Sequence, residues 1–68
     1  MREKAILERI QGGDRLIADI VKAIYGNTDP RLHGAAALSV LAHLEDLAAR
    51  GVVAADGGVS IDGVFSPA

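Results

Sequence analysis

The 68-residue sequence has no cysteine and no tryptophan. The missing cysteine excludes a disulfide or a thiolate-bound metal as a brace for so short a chain. Aromatic residues are nearly absent, Tyr25 and Phe65 being the only two. A core must therefore come from Ile, Leu, Val and Ala. The stacked aromatic platforms of single-strand nucleic-acid binders have nothing to be built from. No apolar run approaches the roughly 20 residues of a membrane span. The opening Met1-Arg2-Glu3-Lys4-Ala5 lacks the apolar stretch of a signal peptide. The expectation is a cytoplasmic protein with no membrane partner.

Positive charge is scarce where DNA binding would need it. The net charge is −2. From Ala23 onward only Arg31 and Arg50 are basic, against Asp29, Glu45, Asp46, Asp56 and Asp62. The remaining cations, Arg2, Lys4, Arg9, Arg15 and Lys22, all lie earlier. Phosphate neutralisation dominates DNA affinity and needs several Lys or Arg on one docking face.

What is present is a short set of periodic segments. Residues 2–11 read as a first helix, with Ile6, Leu7 and Ile10 on one face and Lys4 and Glu8 spaced as an i, i+4 pair. Gly12-Gly13 stops it, and Asp14 is a candidate N-cap or turn residue. Residues 16–25 form a second helix, with Ile17, Ile20, Val21 and Ile24 on one stripe and Gly26-Asn27 as its stop. Asp29-Pro30 opens a third helix over 30–50, with Asp29 as cap and Pro30 in the first turn. A break near Gly34 is expected, because glycine costs about 1 kcal/mol inside a helix. Ala36, Ala37, Val40, Leu41, Leu44, Leu47 and Ala48 make its core face, and Gly51 ends it. A hairpin over 52–61 is expected next, pairing Val52–Ala55 with Val59–Ile61 through Asp56-Gly57-Gly58. Asp62-Gly63 turns the chain again, and Phe65 packs back. Three helices and a hairpin in one domain, 1–68, are the outline of a winged helix: mainly α with a small β-hairpin.

No constellation for catalysis or metal binding is visible. His33 and His43 are the only imidazoles and fit no H-x-H, H-x-x-x-H or H-E-x-x-H spacing. His33 reads as a solvent-facing residue at the helix start. His43 reads as a boundary residue bonded locally to Ser39 or Asp46. Ser39 and Ser60 have no base partner in the sequence. Gly12-Gly13 is not followed by a phosphate-loop pattern. Asp56, Ser60 and Asp62 lack the spacing and the closing glutamate of a calcium loop. The third helix, on the side away from the core, carries Ala35, Leu38, Ser39, Ala42, Asp46 and Ala49. A DNA-reading helix would place Arg, Lys, Asn or Gln there. Small apolar residues around Leu38, with His43 beside them, read instead as a candidate docking patch.

These features, in this order, resemble the C-terminal winged-helix domain of a branch of metallo-β-lactamase-fold hydrolases related to the β-lactamase-like mitochondrial endoribonuclease. Arg2-Glu3 with Ile6-Leu7 resembles that domain's R-E-x-x-I-L opening, and Gly12-Gly13 its glycine stop. Ile20-Val21 through Ile24-Tyr25 resembles its I-V-x-x-I-Y helix. Leu32, Ala36 and the block from Ala37 to Val53 resemble its A-x-x-x-V-x-x-H-L-x-x-L-x-x-x-G-x-V signature. The likeness spans residues 2 to 55. It departs at the second helix, where Arg15-Leu16 stands in place of a common Thr.

The resemblance implies a module cut from a larger metal-dependent hydrolase. The family's ligands, H-x-H-x-D-H and later His and Asp, belong to an N-terminal αββα domain that is not in this sequence. Zinc is expected only there, and this chain is expected to hold no cofactor and to be no enzyme. Two functions follow. The first is an accessory domain that docks Ala35, Leu38, Ser39, Ala42, His43 and Asp46 against its own N-terminal hydrolase domain or a second subunit in a homodimer. The alternative is a nucleic-acid-binding module using Arg2, Lys4, Arg9, Arg15 and Lys22, with RNA a better candidate than DNA.

Overall fold

A computed structural model describes residues 2–68. Helix α1 spans Arg2–Gln11 and buries Ile6 and Ile10. It ends in a Schellman motif: Asp14 N–H donates to the Arg9 carbonyl at 2.9 Å and Gly13 N–H to the Ile10 carbonyl at 3.2 Å. That geometry needs a left-handed residue, and Gly13 has φ 120°. Arg15 Nη1 adds a third cap, donating to the Ile10 carbonyl at 2.8 Å.

Helix α2 spans Ile17–Tyr25. Its N-cap is Leu16, with no side-chain capping bond, so Asp14 does not serve as the cap. Leu16 is held extended because it bridges to a strand, Leu16 to Val64. Asp14 instead pairs with Arg9 at 2.8 Å. Lys4 and Glu8 form no ion pair among the described residues.

The third helix breaks earlier than its glycine suggests. A 3₁₀ turn covers Pro30–Leu32 and helix α3 runs from His33 to Ala49, so the change comes before Gly34. Asp29 caps the turn, its Oδ1 accepting from Arg31 N–H at 3.0 Å. At its far end α3 closes with a second Schellman motif. Val52 N–H donates to Leu47 at 2.9 Å, Gly51 N–H donates to Ala48 at 3.0 Å, and Gly51 has φ 74°.

The hairpin is where the sequence reading has to be corrected. Strand β1 is Val53–Asp56 and β2 is Val64–Pro67, antiparallel, with Ala55 opposite Phe65 and Asp56 opposite Val64. Val59–Ile61 is not a strand; it lies in the wing loop, 57–63. Phe65 explains the shift. It is the largest apolar side chain available, and pairing at 64–67 seats it at 0% exposure against the helices. The later strand also gains Phe65 N–H donating to Arg15 at 2.8 Å.

The core is one cluster: Ile6, Ile10, Ile17, Ile20, Val21, Ala36, Val40, Leu44, Leu47, Val53 and Phe65. Every helical member falls on a stripe expected from periodicity. No helix among the described residues is long and apolar enough to cross a membrane.

Candidate docking face

Helix α3 positions the candidate face. Its inner side is fixed by Ala36, Val40, Leu44 and Leu47, all buried. That anchoring turns Ala35, Leu38, Ala42 and Asp46 outward, where all four are exposed, with Ser39 and His43 half-buried at the margin. Leu38 is 64% exposed, the most open large apolar side chain among the described residues. No Lys or Arg occurs anywhere in α3. The face is therefore apolar at its centre and acidic at its C-terminal end, with Glu45 and Asp46 both exposed.

Two histidine expectations need correcting. His33 is not solvent-facing: it is half-buried, and its Nε2 lies 3.0 Å from the Tyr25 carbonyl oxygen. A carbonyl only accepts, so His33 carries its proton on Nε2 and ties the start of α3 to the end of α2. His43 makes no hydrogen bond to Ser39 or Asp46 among the described residues. The Asp46 carboxylate is engaged by Arg50 at 2.9 Å. Among the described residues no three His, Asp or Glu side chains converge to hold a metal, and no concave pocket is present.

The cations of the alternative reading do not form one free patch. Arg9 pairs with Asp14 at 2.8 Å. Arg15 Nη1 donates to the carbonyls of Ile10 and Asp14 at 2.8 and 2.9 Å. The Arg2 guanidinium sits over the Tyr25 ring, 4.9 Å from its centroid. Lys4 and Lys22 are exposed and have no carboxylate within ion-pair distance among the described residues. Arg31 binds Asp29 at 2.7 Å, and Arg50 bridges Asp46 and Glu3.

Sequence reasoning missed a second open apolar surface, the outer side of the sheet around Leu16 and Val64. Its signal was the run Val52-Val53-Ala54-Ala55, apolar at every position where a half-exposed strand alternates.

Comparison with curated proteins and with solved structures gives no match. A family model does match, that of the β-lactamase associated winged helix domain, over residues 17–61, which take in α2, α3, β1 and most of the wing loop. Three helices, the β1–β2 hairpin and this match over more than half its length agree: the chain belongs to the β-lactamase-associated winged-helix family.

Proposed function

We propose that this chain is a non-catalytic accessory module of a metallo-β-lactamase-fold, metal-dependent hydrolase. It acts by burying the outer face of α3 against the hydrolase domain. The observation that carries this reading is Leu38, 64% exposed between Ala35 and Ala42 on a helix with no Lys or Arg. An isolated exposed leucine needs no explanation. Here small neighbours on both sides let another surface approach closely, which favours a docking patch. The family to which the chain belongs is described as a β-lactamase associated winged helix domain, which supports a partner of that class.

Charge weighs against nucleic acid as the partner. The slope of log K against log salt is about −0.9 per phosphate neutralised on duplex DNA. Lys4 and Lys22 alone would give a slope near −2, whereas binders making ~6–10 phosphate contacts show far steeper dependence. The test is a pair of titrations. In one, labelled duplex DNA and single-stranded RNA are added to the chain at low and moderate salt. In the other, a separately expressed metallo-β-lactamase-fold domain from a protein of this family is added to ¹⁵N-labelled chain. The expected result is no nucleic-acid binding at ~100 µM and amide shifts centred on Ala35, Leu38 and Ala42 with the hydrolase domain. Micromolar, salt-sensitive nucleic-acid binding that maps to Lys4 and Lys22 would overturn the proposal.

A further inference from the structure

Two Asp-Gly pairs bound the wing loop: Asp56-Gly57 at its foot on β1 and Asp62-Gly63 at its return to β2. An aspartate followed by glycine can cyclise, because glycine has no side chain to block the approach to its own nitrogen. The glycine amide must lose its proton and reach the aspartate Cγ. A hydrogen-bonded, packed amide resists this as it resists hydrogen exchange.

The fold separates the two pairs. Asp56 and Gly57 are both exposed. Gly57 has φ 77° and open space where a Cβ would stand. Its N–H donates to no backbone carbonyl among the described residues; the turn is closed instead by Gly58 N–H on the Ala55 carbonyl at 3.2 Å. Asp56 is the last residue of β1, so rotating it toward the ring geometry gives up only its pairing with Val64. Gly63 is the opposite case. It is buried, and its N–H donates to the Ser60 carbonyl at 3.0 Å. A Cβ on Gly63 would stand 3.0 Å from that same oxygen and 3.3 Å from the Phe65 ring. Cyclisation of Asp62 would break this bond and push Gly63 against the fully buried Phe65.

We infer that Asp56 is a site of spontaneous backbone modification, isomerising to isoaspartate through a succinimide with Gly57, and that the fold protects Asp62. The Gly57 nitrogen attacks Cγ of the protonated Asp56 carboxyl. An N–Cγ bond forms, and the carboxyl OH leaves as water with the amide's proton. A second water adds to the ring at the Asp56 backbone carbonyl carbon, whose bond to nitrogen breaks, and the chain then continues through Cγ. One water is lost and one regained, so mass and formal charge are unchanged and nothing is oxidised. The product carries one extra methylene carbon in the main chain at the foot of the wing. The Ala55–Phe65 pairing and the core lie beyond it, so the wing loop is the part that is re-aimed.

The test incubates the whole chain in buffered ¹⁸O-water, folded and in guanidinium chloride. Trypsin then releases the peptide 51–68, which holds both aspartates. Electron-transfer fragmentation distinguishes isoaspartate from aspartate at each position, and each passage through the ring leaves one ¹⁸O there. In the folded chain, isoaspartate and label are expected to accumulate at Asp56 about fivefold faster than at Asp62, or more. That is the factor for one hydrogen bond, roughly 1 kcal/mol at 1.4 kcal/mol per decade. In guanidinium chloride the two rates are expected to converge. Equal or faster reaction at Asp62 in the folded chain would overturn the inference. So would a folded chain that reacts at neither position, or a preference for Asp56 that persists in guanidinium chloride.

Discussion

Phe65 and Ala55 lie opposite each other across the hairpin, and Phe65 is fully buried while its neighbour Val64 is open. This one aromatic closes the core between the strands and the helices. A chain of this size has a total stability of roughly 3–10 kcal/mol at 0.05–0.15 kcal/mol per residue. Phe65→Ala is expected to remove about 3–5 kcal/mol, most of that margin. Urea denaturation followed by circular dichroism should show a largely unfolded variant, and Phe65→Leu a folded but weaker one. A Phe65→Ala variant within 1 kcal/mol of wild type would mean that the ring is not a core element.

The helices were legible in the sequence because each carries an apolar stripe at helical spacing and a glycine stop. Ile6 and Ile10, then Ile17, Ile20 and Val21, then Val40, Leu44 and Leu47 are buried where periodicity puts them. The second strand was not legible. Val59-Ser60-Ile61 has the alternation of a strand, and although Phe65 was expected to pack back, a local pattern does not register that its burial draws the strand to 64–67. The same blindness to tertiary context hid the Leu16–Val64 bridge, since Leu16 reads as the edge of a helical stripe. For the candidate face, the sequence indicated which side of α3 the core leaves free. The carbonyl partner of His33 depends on how α2 and α3 pack, which spacing along the chain does not encode.

Gly51 and Gly34 should respond to alanine in opposite directions. Gly51 closes α3 with φ 74°, a conformation costing a side-chain-bearing residue about 1–2 kcal/mol. Gly34 lies in the first turn of α3 with open space where a Cβ would stand and no positive φ. Gly51→Ala is therefore expected to destabilise by about 1–2 kcal/mol. Gly34→Ala is expected to stabilise by about 0.4–1 kcal/mol through a less flexible unfolded chain. Thermal melts of the two variants against wild type measure both signs.

Asp29 makes folding sensitive to acid at the start of α3. Arg31 lowers the Asp29 carboxyl pKa below its ordinary 3.8, first through its guanidinium and then through its backbone N–H. A folded-state pKa below the unfolded one contributes stability that is fully present above the unfolded value. That stability is lost as pH falls through the folded one. Because both groups are in water the energy is small, but the titration itself is readable. The ¹³C signal of the Asp29 carboxyl should titrate with a midpoint below 3.8 in wild type and move back up in Arg31→Gln. An unchanged midpoint in that variant would remove the ion pair as the cause.

Leu38→Gln separates folding from docking. Leu38 is 64% exposed and contributes nothing to the buried cluster, and glutamine keeps nearly the helix propensity of leucine. The expected change in stability is therefore within about 0.5 kcal/mol. Docking is another matter, because burying a leucine is worth about 1.5–3 kcal/mol. Losing that contribution weakens affinity for a metallo-β-lactamase-fold partner by at least about tenfold at 1.4 kcal/mol per decade. Calorimetric titration measures the affinity and a parallel melt the stability. An unchanged affinity would mean that the partner lies on another surface of the chain. A lowered melting temperature would mean that Leu38 belongs to the core after all. Only loss of affinity with an unchanged melt supports α3 as the docking element.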